Sequence, residues 1–100
     1  MRKIILSKRA AVKLEKLLDY LETQWSEKAK HDFIQKLDKS LDLIKEYPES
    51  NEKSSIKKDL YRCVITRQTT LYYQYNTNAI KVIALFDSRM NPGKIKTEVS

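Results

Sequence analysis

Residues 60–86 read LYRCVITRQTTLYYQYNTNAIKVIALF, and this stretch decides the fold. It holds three runs of β-forming residues: Leu60 to Thr66, Thr70 to Tyr75 and Ile80 to Phe86. Branched and aromatic side chains favour the pleated, half-buried surface of a sheet. The links Arg67-Gln68-Thr69 and Asn76-Thr77-Asn78-Ala79 are of hairpin length, and Asn takes the left-handed turn conformation where Gly is absent. The third run is almost continuously apolar, as expected of an inner strand covered on both faces.

Outward from this block, the period changes. Upstream, Ala10, Ala11, Leu14, Leu17, Leu18, Leu21 and Trp25 recur three and four apart, the stripe of an amphipathic helix capped by Ser7. Lys13, Lys16, Asp19 and Glu22 fall on its solvated side. Ser26 caps a second helix with the stripe Ala29, Phe33, Ile34, Leu37, Leu41 and Ile44, stopped near Tyr47 by Pro48. Trp25 and Phe33 are expected to pack between the helices. So short a junction makes the pair an antiparallel hairpin. Lys3-Ile4-Ile5-Leu6 suits a short first strand, and 49–55 reads as a polar loop. The expected order is β-α-α-β-β-β: an α+β domain with a helical hairpin on a mainly antiparallel four-stranded sheet. It occupies residues 1–92, and 93–100 is a short polar C-terminal tail.

Composition removes most chemistries. Of 100 residues one is Gly, one Cys and one His. A single Gly excludes glycine-rich phosphate cradles. One Cys and one His cannot make a structural zinc site or a disulfide within the chain, and no cofactor is implied. Apolar runs are far shorter than the roughly 20 residues of a membrane helix, and the start does not read as a signal peptide. No membrane association and a cytoplasmic location are therefore expected.

The net charge of +7 is uneven: residues 1–50 hold 11 basic and 9 acidic side chains, residues 51–100 hold 9 and 4. Basic residues among tyrosines on a sheet suit RNA, an acidic protein partner, or plain solvation of an open face. Cys63 reads as a small buried hydrophobe. His31, between Lys30 and Asp32, is expected on the solvated side of the second helix and not in a catalytic role.

The first strand, helical hairpin, Tyr-Pro stop, basic strand into Leu71-Tyr72-Tyr73-Gln74-Tyr75, and ending Leu85-Phe86-Asp87-Ser88-Arg89-Met90-Asn91-Pro92 together resemble the RelE/ParE superfamily of bacterial type II toxin–antitoxin toxins, also called plasmid stabilisation proteins. The resemblance covers about residues 3 to 92. It implies a toxin neutralised by a co-encoded antitoxin, which alone would bring it to operator DNA. RelE-like members are mRNA interferases that cleave mRNA on the ribosome with Lys and Arg side chains and often a C-terminal Tyr or His. ParE-like members lack that set and are gyrase inhibitors.

Residue by residue, this chain departs from the RelE pattern: Thr70 stands where a catalytic Arg is implied, and no Tyr or His follows Arg89. Metal-independent RNA cleavage needs a base, an acid and cations for the phosphorane, and Arg supplies only the last. Were the chain a ribonuclease, Lys57, Lys58, Arg62 and Arg89 would be its catalytic set, with a lysine of depressed pKa as base. The ending is closer to ParE, although Ser88 replaces one Arg and Phe86 a frequent His. Arg89 is alternatively a plain ion-pair partner of Asp87. Target or antitoxin contacts are expected from Lys58, Arg62, Arg67, Tyr73, Lys81 and Arg89, beside the helical hairpin. The leading expectation is a gyrase-binding toxin. The alternatives are a ribosome-dependent ribonuclease and a decayed member that only binds its antitoxin.

Overall fold

The computed structural model describes residues 2–54 and 59–89. Strand β1 (Lys3–Leu6) leads into helix α1 (Lys8–Gln24), then helix α2 (Glu27–Glu46), a 3-10 turn (Pro48–Ser50), and strands β2 (Glu52–Lys53), β3 (Tyr61–Val64), β4 (Thr69–Tyr75) and β5 (Ala79–Asp87). The sheet has the order β1-β5-β4-β3-β2, with β1 parallel to β5 and every other pair antiparallel. The α+β class and the element order follow the sequence expectation. The count does not: five strands replace four, because Glu52 and Lys53, read as loop, pair with Arg62 and Tyr61. Two exposed polar residues carry no alternating pattern by which a strand is recognised.

Both helices begin where their caps dictate. The Ser7 hydroxyl accepts the Ala10 N–H at 3.0 Å and Ser26 accepts that of Ala29 at 3.0 Å, each satisfying one N–H of the first helical turn. Ser7 also donates to the Ile83 carbonyl at 2.8 Å, which ties the start of α1 to β5. Ile83 is the extra residue of a bulge, since Tyr72 pairs with Ala84 and Tyr73 with Val82. The bulge lets Leu85 and Val82 face the helices together despite their odd spacing.

The main core lies between the helices and one sheet face, with Leu17, Leu21, Phe33, Leu37 and Ile44 against Cys63, Leu71, Tyr73, Ile80, Val82 and Leu85. Fully burying each aliphatic side chain contributes about 1.5–3 kcal/mol before entropy is counted. A smaller cluster of Leu60, Tyr72 and Ala84, with Ile83 and Phe86, sits on the other face, so β5 is flanked by apolar groups on both sides. Phe33 and Cys63 are buried as expected.

Two placements differ from expectation. Trp25 is 59% exposed rather than interhelical: α1 ends at Gln24, and Trp25, with φ −121° and ψ −86°, leaves the helical register that put it on the stripe. Lys13, expected on the solvated side, is buried. The tail 93–100, with Met90, Asn91 and Pro92, lies outside the described residues. No helix among the described residues is long and apolar enough to cross a membrane.

Candidate functional site

Arg89 stands two residues past Asp87, the last residue of β5, and its position is fixed from three sides. Its Nε and Nη2 donate to the two carboxylate oxygens of Asp87 at 3.0 and 2.7 Å, and its backbone N–H donates to Asp87 Oδ1 at 2.9 Å. The Thr69 hydroxyl completes the set by donating to Asp87 Oδ2. Thr69 is opposite Asp87 in the β4–β5 ladder, so the hairpin register delivers this bond. Above the ion pair the guanidinium lies over the Trp25 ring, 5.5 Å from its centroid. Asp87 is only 1% exposed. Burial by itself would push its carboxyl up, but the hydrogen bonds from Arg89 and Thr69 outweigh it and hold the pKa below the usual carboxylate range.

A cleft of about 140 Å³ opens beside this node between α2 and the β3–β4 turn, lined by Ala29, Asp32, Lys36, Thr66, Gln68 and Arg89. A separate groove of about 260 Å³ lies further along α2, lined by Ser40, Leu43, Tyr47, Asn51, Cys63 and Val64. Leu43, Tyr47 and Val64 are 57%, 52% and 53% exposed. None of the three was singled out from the sequence. The available signal was Leu43 and Tyr47, four apart and off the stripe of Leu37, Leu41 and Ile44.

The other expected contact residues are dispersed. Arg67 is exposed in the β3–β4 turn, at the same end as Arg89, where the Ser88 N–H donates to the Gln68 carbonyl at 2.9 Å. Arg62 is exposed on the sheet face turned away from the helices, 3.8 Å from Glu52. Lys81 is exposed on the same face but near the start of β5, opposite Gln74. It borders a separate cleft of about 490 Å³ with Tyr61, Gln74, Tyr75 and Asn76. Six residues of strand, about 20 Å, separate Lys81 from Asp87. Lys57 and Lys58 lie outside the described residues.

Tyr73 corrects the expectation of a contact residue. It is fully buried, its hydroxyl donates to the Pro48 carbonyl at 2.6 Å and accepts from Asn51 at 3.1 Å, and its ring stacks on Tyr61. Position 73 points into the helix-facing core, where no partner reaches it. His31 is exposed on α2, within 3.3 Å of Gln35. Among the described residues no group of His, Cys, Asp and Glu is arranged to hold a metal ion.

Comparison with known proteins gives this arrangement a family. In structure the chain is similar to a chain of the chromosomal ParDE system from P. aeruginosa, with a TM-score of 0.71 and 10% identity over 87% of this chain and 96% of that one. It is similar to the E. coli toxin RelE (TM-score 0.62, 17% identity, 98% and 93% covered) and to a chain of the YoeB–YefM complex from Staphylococcus aureus (0.59, 16%, 86% and 95%). At these identities the likeness is one of fold. No curated protein matches the sequence. The family model described as the ParE toxin of the type II toxin–antitoxin system parDE matches residues 4–92, and the chain therefore belongs to the ParE toxin family of type II toxin–antitoxin systems.

Proposed function

We infer that this toxin is held inactive by a co-encoded antitoxin and acts by binding DNA gyrase, without cutting RNA itself. The observation that carries the reading is the Asp87–Arg89 pair. The Arg at the end of the last strand is the best match to the ribonuclease set, and its charge is already neutralised by a buried carboxylate through both oxygens. A cation so held does little for a developing phosphorane. Of the other expected cations, Arg62 and Lys81 lie on the sheet face turned away from the helices, near opposite ends of it, and Arg67 lies in the β3–β4 turn, while Lys57 and Lys58 lie outside the described residues. General acid–base work requires groups converging within hydrogen-bond reach of one reacting atom.

The antitoxin partnership draws support from the family and from relatives of the same fold recorded as a ParDE system and as a YoeB–YefM complex. Operator binding would run through that antitoxin, and gyrase and the ribosome are both cytoplasmic targets.

Expression of the chain in bacterial cells tests the target. Gyrase-linked DNA breaks and induction of the SOS response without ribosome-dependent mRNA cuts support the reading. Codon-resolved cuts on ribosomes that disappear in Arg62→Ala or Arg89→Ala overturn it in favour of the ribonuclease. Neither lesion, with antitoxin binding intact, identifies a non-toxic member.

A further inference from the structure

The helical hairpin and the sheet do not close completely over the first strand. Helix α1 lays Ala10 and Leu14 toward the sheet, four residues apart and so on one face. Helix α2 sets Leu37 and Leu41 opposite them with the same spacing. Ala10, 1% exposed, brings only a methyl group, where Leu17 and Leu21 further along α1 fill the layer with whole isobutyl chains. The Ser7 hydroxyl, donating to the Ile83 carbonyl at 2.8 Å, fixes the start of α1 over β5. A cavity of about 80 Å³ is left between Ala10, α2 and the helix-facing side of β1, β4 and β5.

Every residue around this cavity is apolar, and no polar atom opens onto it. It is far larger than the roughly 10–15 Å³ that one water molecule needs, yet a water inside would find none of the two to four partners it requires. Such a space stays dry, and its lining forfeits dispersion contacts that a guest would restore. Leu71 and Val82 are fully buried and close the floor, whereas Leu6, 39% exposed, and the half-buried Leu41 stand at the rim. Strand β1 is the end strand of the sheet, so the way in passes Leu6 and not the core. No residue lines both this cavity and the groove of Leu43, Tyr47 and Val64. An apolar cavity of roughly 150 Å³ is known to take benzene or xenon, and half that volume takes about half as many heavy atoms as benzene has.

We propose that the cavity between Ala10, Leu41 and Val82 is a binding site for a small, uncharged, apolar molecule, of xenon's size or a few carbon atoms. The guest touches both helices and the sheet at once, so its binding stabilises the seat of the hairpin on β1 and β5. With so few atoms its dissociation constant is on the order of 1 mM. No charge takes part, so salt leaves the affinity unchanged. The site does not depend on which target the toxin takes.

The full-length toxin, isotope-labelled at its methyl groups, is titrated with xenon under pressure and followed by NMR. Saturable shifts are expected at the methyls of Leu14, Leu41 and Val82, and none at Val12 on the outside of α1 or at Ile83 on the other face of the sheet. Xenon at about ten times its dissociation constant should raise the folding equilibrium constant about elevenfold, read from the urea midpoint. Ala10→Leu places an isobutyl chain in the space and should abolish the saturable shifts. Leu41→Ala enlarges the space and should admit benzene, which the unmodified chain excludes. Absent or unsaturable xenon shifts in the unmodified chain, shifts centred on Val12 or Ile83, or shifts that persist in folded Ala10→Leu overturn the site. Should Ala10→Leu not fold, Leu41→Ala decides: saturable benzene shifts at Leu14 and Val82 support the site, and their absence overturns it.

Discussion

The Arg89 guanidinium closes on the Asp87 carboxylate two residues before it, at 3.0 and 2.7 Å, with one carboxylate oxygen also bound by Thr69. The pair is asymmetric. Asp87 is almost completely buried, whereas the Arg89 side chain retains 19% of its surface in solvent. Removing Arg89 strands a carboxylate that cannot turn to water, while removing Asp87 leaves a guanidinium that can. Arg89→Ala is therefore expected to destabilise the fold by about 2–4 kcal/mol, and Asp87→Asn by less. Urea unfolding at neutral pH ranks the two, and the reverse order would contradict this account.

The same pair gives the acid limb of stability a source. A carboxyl whose folded pKa lies below its unfolded value, about 4, stabilises the fold above that value and ceases to do so as pH falls through the folded one. Denaturation of the unmodified chain should steepen below about pH 4. In Asp87→Asn that part of the acid limb disappears, so the stability gap between the two chains narrows at low pH. A gap independent of pH would assign the acid limb to other groups.

Trp25 is the sole tryptophan, and its exposure makes it a probe more than a support. Among the described residues its ring meets the Arg89 cation, a geometry worth about 0.5–1 kcal/mol at an exposed site. Trp25→Ala should lower the melting temperature by only a few degrees, about 4–8 °C per kcal/mol in a domain this size. A core tryptophan would cost about 3–5 kcal/mol. Its fluorescence in the unmodified chain should be that of a solvated indole. A blue-shifted emission would put the ring inside.

Cys63 offers the opposite case. Burial pushes its thiol pKa up, and the side chain lies in the helix-facing core. Thiol-specific reagents should label it slowly in the native chain and rapidly after unfolding, since the thiolate is the reacting species. Rapid native labelling would show that the α2–β3 groove opens to the core.

Much of this was legible in the residues. The two helix caps, the stops and the three long strands follow from local period and turn chemistry, which act over a few residues at a time. What was not legible depends on the ends of elements and on distant pairing. Trp25 continues the α1 stripe in sequence, yet the helix stops one residue earlier and the ring swings out to meet Arg89 from the far end of the chain. Glu52 and Lys53 become a strand only because β3 offers them an edge. The Asp87–Arg89 pair was readable as an alternative from adjacency, but Thr69 enters it through the β4–β5 register. The groove at Leu43, Tyr47 and Val64 has no linear signature, since residues of α2 and β3 that are distant in sequence line it together.

Tyr73 shows how the change of role from surface contact to core anchor can be measured. Its hydroxyl satisfies the buried Pro48 carbonyl at 2.6 Å and so pins the α2–β2 connection onto β4. Tyr73→Phe leaves that carbonyl and the Asn51 amide without this partner, a loss of about 1–3 kcal/mol. Burial first, against a smaller opposing effect of the Asn51 bond, pushes the Tyr73 pKa up to about 12. A folded pKa raised above an unfolded value of about 10 stabilises the protonated native state below pH 10, and that contribution is lost as pH rises toward 12. The unmodified chain should therefore lose stability across this interval, while Tyr73→Phe, less stable at neutral pH, loses less of what it has. The neighbouring Tyr61 and burial raise Tyr75 as well, so spectrophotometric titration should find one fewer late-ionising tyrosine in the variant than in the unmodified chain. If the number of late-ionising tyrosines is the same in Tyr73→Phe, the anchor at Pro48 is misassigned.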